Sequence, residues 1–280
     1  MRFSIMDFNS QLNGLELSTL DNEQIAQAYS VINTYLGDCL LAIHLYGSAI
    51  EGGLRAYSDI DLLVTIDKTI DDETRKELMR ILLSCSATPG SDPIRRALEV
   101  TVINYADIVP WKYPPKREMQ FGEWLRHDIL DGIFEPAIID VDLCILLRKI
   151  RTRSIPIFGE SAANLFDPVP DSDFMTTLQS TLDIWNTQED WFGDERNIIL
   201  TIARIWYSAV TGDIGSKEEA SSWLIDRLPI AYHNLVLKTR QDYLMGSEHQ
   251  FVPDTIKMSS FISYAKETIT TILRSRTNDL

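Results

Sequence analysis

Two periods alternate along the first 150 positions. Residues 20–36 carry apolar side chains at helical spacing, with Ile25, Ala28, Tyr29 and Ile32 on one face. Residues 39–46, 60–66 and 98–104 are short apolar runs rich in branched side chains, and they predict strands. Between them, residues 71–84 predict an amphipathic helix with Leu78, Ile81 and Leu82 turned inward. Its acids crowd the first turn, where they suit the helix dipole. Residues 121–130 and 140–148 then read as helices around a turn at 132–136. The sum is an α/β layer built on a mixed sheet.

Two prolines, Pro168 and Pro170, break the pattern. Beyond them strand signals nearly vanish, and helices are expected at 173–185, 194–210, 216–228, 232–244 and 254–273. The last should bury Met258, Phe261, Ile262, Ala265, Ile269 and Ile272, and Ser216 with Glu219 makes a capping-box pattern. The expected organisation is therefore an α/β domain over 1–169 and an all-α bundle over 170–280, with a site in the cleft between them. Residues 1–24 leave two readings open, an additional helix or a loose tail.

Composition narrows the function. Three cysteines in an odd, scattered set (Cys39, Cys85, Cys144) and four widely spaced histidines give neither a disulfide framework nor a zinc signature. With no long apolar stretch and no leader-like N-terminus, a cytoplasmic protein away from membranes is expected. Acids outnumber bases 41 to 26, for a net charge of −15. That argues against a nucleic-acid partner, which calls for a basic patch. It suits a cationic ligand, although acidic surfaces also serve solubility.

The chemistry concentrates in residues 44–64, HLYGSAIEGGLRAYSDIDLLV. Gly47 and Ser48 leave one apolar run, ten residues intervene, and Asp59 and Asp61 enter the next. On an extended strand the two acids share a face, about 6.6 Å apart along the chain. Carboxylates at that spacing can hold Mg²⁺ together with substrate phosphates, and a Gly-Ser turn offers N–H groups and a hydroxyl to a phosphate. Glu99 is the lone charge in the run 97–103. It faces water at a sheet edge, or it lies beside Asp61 to complete a metal site or to accept a proton. Neighbouring carboxylates would raise its proton affinity.

These motifs, with LEVT (98–101), IVPWKYP (108–114), KREMQFGEW (116–124), GIFEPA (132–137), LFDPVP (165–170), GDERN (193–197) and RIWYSAVTG (204–212), resemble the nucleotidyltransferase superfamily. Within it they are similar to the aminoglycoside adenylyltransferases that modify streptomycin and spectinomycin. The resemblance runs over about residues 30–275. It implies a nucleotidyltransferase fold followed by a helical bundle, ATP as co-substrate, magnesium with two ions expected, and a monomer.

It also implies site residues. Glu99 becomes the catalytic base, and Asp59, Asp61 and Glu99 the metal ligands. Arg204, Lys217 and Tyr243 match positions that meet nucleotide, and Gly47, Ser48 and Ser58 are read with them from the loop itself, Ser48 reaching phosphate and Ser58 the metal. Trp124, Asp190 and Asp194 match positions that hold streptomycin. Each has a plainer reading beside it: Asp194 as a helix N-cap, Trp124 as core, Lys217 as a solvated surface lysine. Relatives restricted to spectinomycin lack the tryptophan and aspartate, so both drugs are expected as substrates. The alternatives are spectinomycin alone, another small-molecule acceptor, or a silent nucleotide-binding partner with a damaged metal site.

Overall fold

The computed structural model describes residues 12, 14–246, 251 and 253–278. The chain divides into two compact units, Met1–Val169 and Pro170–Leu280. Each is built by a different rule.

In the first unit, helix α1 (Thr19–Leu36) starts at Ser18, whose side chain caps it in a reciprocal pair with Asp21. Residues 19–24 are thus the start of a helix, while 1–11 lie outside the described residues. Strands β1 (Leu40–Tyr46) and β2 (Ile60–Ile66) pair antiparallel. Helix α2 (Asp72–Cys85) crosses to β3 (Leu98–Asn104), which pairs parallel to β2. The short helix α3 (Tyr105–Ile108) follows, then β4 (Lys116–Arg117), β5 (Met119–Phe121), α4 (Arg126–Leu130) and β6 (Ile138–Ile139). Helix α5 (Leu143–Ile150), β7 (Ile155–Phe158) and α6 (Ala162–Leu165) complete the unit. The main sheet runs β5-β3-β2-β1-β7, a mixed sheet as expected.

One sheet face meets α1 and α2. Ile60, Leu62, Val64, Val100 and Val102 form a single buried cluster with Ile25, Ile32, Leu78 and Leu82. Each fully buried aliphatic contributes roughly 1.5–3 kcal/mol. Ile81 departs from expectation and is 40% exposed, because Met79 takes the inward position. The other sheet face is buried too, through His44, Leu63, Thr101 and Gln120.

The helix expected at 121–130 is not continuous. Met119–Phe121 is strand β5, with Phe121 opposite Val100. A 3₁₀ turn, Glu123–Leu125, separates it from α4. Met119 and Phe121 gain full burial beside β3, which outweighs local helical preference.

The second unit contains α7 (Asp171–Leu182), α8 (Glu195–Thr211), α9 (Lys217–Ile225), α10 (Ile230–Met245) and α11 (Thr255–Asn278). Ser216 and Glu219 form the capping box read from the sequence. On α11 the buried face ends in Leu273 rather than Ile272. Among the described residues no helix is long and apolar enough to cross a membrane.

Candidate active site

Register brings two of the candidate carboxylates together. Tyr46 pairs with Asp61, and Asp61 pairs with Glu99, so one row crosses β1, β2 and β3. Registered residues present their side chains on the same face. Glu99 therefore stands beside Asp61 and not at an edge, since β3 lies between β2 and β5. Both acids are half-buried, and Asp59, also half-buried, precedes β2 by one residue.

The Tyr46 phenol reports their charge. Burial, then the negative charges of Glu99 and Asp61, push its proton affinity well above that of an ordinary tyrosine. Tyr46 was not anticipated from the sequence, where it passes for a core aromatic.

Gly47 brings the loop to the acids. It has φ +71°, and a Cβ there would lie 1.8 Å from Asp61 Oδ2. A Cβ there would force the Asp61 carboxylate to move, and the left-handed conformation favours glycine independently. The following 3₁₀ turn, Gly47–Ala49, holds Ser48 half-exposed, and the N–H groups of Ile50 and Glu51 both donate to the Gly47 carbonyl. Glu51 then pairs with Lys149 at 2.9 Å and Arg153 at 3.2 Å. The loop is thereby fastened to the C-terminal end of α5. Ser58 is partly committed: its hydroxyl oxygen accepts the Arg55 N–H at 2.9 Å.

The donor set is made of hard oxygens, as magnesium requires. Among the described residues, no three His, Cys, Asp or Glu side chains gather into a metal cage. Asp59, Asp61 and Glu99 thus do not close around an ion unaided. A site of this kind is completed by phosphate oxygens of the substrate.

Trp124 is 59% exposed, which removes its reading as core. Its ring lies against Gly122, where a Cβ would fall 2.2 Å from it. The turn beneath is anchored by Glu123, which accepts from Ser86, from Thr88 at 3.2 Å and from Arg126 at 2.6 Å. Burial raises the Glu123 proton affinity, but the bonds from Arg126 and Ser86 outweigh it and leave it lowered.

In the second unit, Asp194 occupies the position before α8, yet its side chain makes no capping bond. Its Oδ1 accepts from Asn197 at 2.7 Å, in an exposed setting. Asp190 behaves differently. Its Oδ2 accepts the N–H of Thr187 at 2.7 Å and of Asn186 at 2.8 Å, and those bonds lower its proton affinity. Asp190 closes the 186–190 turn. Trp191, the next residue, is buried in the core.

Arg204 sits half-buried on α8 between Ala203 and Ile205, both buried. Lys217 opens α9, and its ammonium lies 5.6 Å from the centre of the Tyr243 ring on α10. A lysine held by cation–π contact is not simply solvated.

This chain was compared with known proteins. Residues 164–268 match the family model described as aminoglycoside adenylyltransferase, C-terminal domain. An aminoglycoside (3'') (9) adenylyltransferase of Escherichia coli is 50% identical over 250 residues, 89% of this chain and 95% of that one. The chain belongs to the aminoglycoside adenylyltransferase family. A spectinomycin 9-adenylyltransferase of Staphylococcus aureus is 36% identical to the enzyme over the same share of each chain. The crystal structure of a spectinomycin adenyltransferase from Enterococcus faecialis, with ATP and spectinomycin, superposes on the enzyme with a TM-score of 0.80. That match is 25% identical and covers 89% of this chain and 98% of that one. The fold read from the sequence is thus the family's fold.

Proposed function

We propose that the enzyme transfers AMP from ATP to the 3''-hydroxyl of streptomycin and the 9-hydroxyl of spectinomycin, in the cytoplasm. The observation that carries this reading is the carboxylate row Asp61–Glu99 with Gly47 pressed against it. Asp59 and Asp61, with Glu99 beside them, are the residues that would hold magnesium. When bound, the metal supplies positive charge against the triphosphate and the departing pyrophosphate.

The remaining chemistry belongs to the protein. Glu99 accepts the proton of the drug hydroxyl. The hydroxyl oxygen forms a bond to the α-phosphorus, the bond from that phosphorus to the bridging oxygen breaks, and pyrophosphate leaves. Ser48, on its fastened loop, serves the phosphates. Arg204, Lys217 and Tyr243 serve the nucleotide, two cations and an aromatic face matching a triphosphate and a base.

Streptomycin carries guanidinium groups, which ask for exposed carboxylates and flat aromatic surfaces. Asp194 and Trp124 both answer that description, and neither has a sufficient structural duty of its own. Asp190 supports them by shaping the turn that precedes Asp194. This supports a dual range over spectinomycin alone.

The test is pyrophosphate release from Mg-ATP with each drug in parallel. Release with both is expected. Release with spectinomycin alone would keep the chemistry and remove the streptomycin assignments, and silence with both would defeat the substrate reading.

A further inference from the structure

Thr101 stands two residues beyond Glu99 on β3, hence on the same sheet face, and directly opposite Gln120 on β5. Gln120 is only 7% exposed, and a buried amide needs partners for both its ends. The arrangement dictates which end points where. A guanidinium can only donate, and Arg117 Nη1 lies 3.3 Å from the amide oxygen position of Gln120. Thr101 donates to the same oxygen at 2.9 Å. The NH₂ end therefore faces the catalytic carboxylate, and Nε2 donates to Glu99 Oε1 at 3.3 Å.

The series extends backwards. Tyr46 also shares a hydrogen bond with the Thr101 hydroxyl. Donors run one way, from Thr101 through Gln120 to Glu99, and bonds in such a chain polarise one another. Arg117 is itself held by Asp140 at 2.7 Å.

We infer that Gln120 is a positioning residue, its amide locked by Arg117 and Thr101 so that it fixes the Glu99 carboxylate for proton removal. This rests on the reading of Glu99 as the base. A core-filling glutamine would serve as well as a leucine of similar volume. A positioning amide would not, because misplacing a reacting group by about 1 Å costs on the order of a hundredfold in rate.

The experiment compares Gln120→Leu, Thr101→Val, Thr101→Ser and Glu99→Gln in the full chain, with Mg-ATP and spectinomycin. Gln120→Leu should lower kcat about thirtyfold with both KM values within about twofold. Thr101→Val, which frees the amide to flip, should cost about tenfold, and Thr101→Ser should restore kcat to within about twofold. If Gln120→Leu does not fold, the Thr101 pair decides. A readout independent of turnover is the Gln120 side-chain amide in ¹⁵N NMR spectra, which Glu99→Gln should shift. Wild-type kcat in both Gln120→Leu and Thr101→Val, or equal losses in Thr101→Val and Thr101→Ser, would overturn the inference. Retained activity in Glu99→Gln would instead overturn the reading of Glu99.

Discussion

The enzyme carries two sets of acids, and their surroundings are opposite. Asp61 and Glu99 sit half-buried in a sheet whose next row, Leu63, Thr101 and Gln120, is buried. Asp190 and Asp194 sit exposed on a loop. A carboxylate inside a packed sheet is costly unless charge or hydrogen bonds meet it, so its presence implies a task. A carboxylate on a loop costs little and is often retained only to close a turn. Asp190 does that and Asp194 does not, although they lie four residues apart.

Substitutions can widen or erase this contrast. The largest effect is expected from Glu99→Gln, which should cut the transfer rate by about a thousandfold, within the range for loss of a general base. ATP binding by calorimetry should be little changed. Next comes Gly47→Ala, where a methyl group collides with Asp61 in a left-handed backbone. It should lower kcat about a hundredfold and cost about 1–3 kcal/mol of stability by urea unfolding. A normal enzyme carrying alanine at 47 would mean the loop does not press on the Asp61 carboxylate.

On the loop the effects should be selective. Asp194→Ala should reduce kcat/KM for streptomycin roughly thirtyfold, about the 2 kcal/mol of a charge-assisted hydrogen bond, and leave spectinomycin nearly untouched. Equal losses on both drugs would break the assignment. Asp190→Ala, which loosens the turn before Asp194, should weaken streptomycin turnover more than spectinomycin turnover, by less than Asp194→Ala does, and mildly lower the thermal midpoint.

Protons should divide the two regions as well. His44 is fully buried in the sheet, with Nε2 donating to the Glu160 carbonyl at 2.9 Å and Nδ1 without a partner. Burial lowers its pKa from 6.5 to about 4, the Glu160 bond opposing. Between those values the unfolded chain takes a proton that the folded chain refuses. The associated stability is complete above pH 6.5 and is lost as pH falls toward 4, about 3 kcal/mol in all. Asp190, with its lowered value, releases its smaller share only below the usual carboxylate range. Urea midpoints at pH 7 and pH 4.5 should fall apart for the parent protein and converge in His44→Leu.

The same contrast governs what could be read from the residues alone. Strands β2 and β3 were legible because each is an unbroken apolar run with polar ends, and the parallel pairing then aligns Asp61 with Glu99. Strand β5 was not, since three residues beside Lys116, Arg117 and Glu118 carry no period of their own. Its partner on β3 defines it, and with it went Gln120. The available signal was small, a lone amide between Met119 and Phe121. Tyr46 and Thr101 stayed hidden because a buried phenol and hydroxyl look like packing until register sets them beside a charge. For Asp190 and Asp194 the letters are identical, and only the hydrogen bonds tell them apart.

Trp124 leans on a residue with no side chain. The Gly122 backbone is extended, at φ −166°, so any amino acid could adopt it. What a larger residue would displace is the indole resting where a Cβ would be. Glycine and alanine codons differ by a single base. One nucleotide change at position 122 would therefore tilt the ring and, with Trp124 in its proposed role, narrow the resistance spectrum while every proposed contact residue kept its identity. Surveillance that reads only ligand-contacting positions would score such an allele as unchanged.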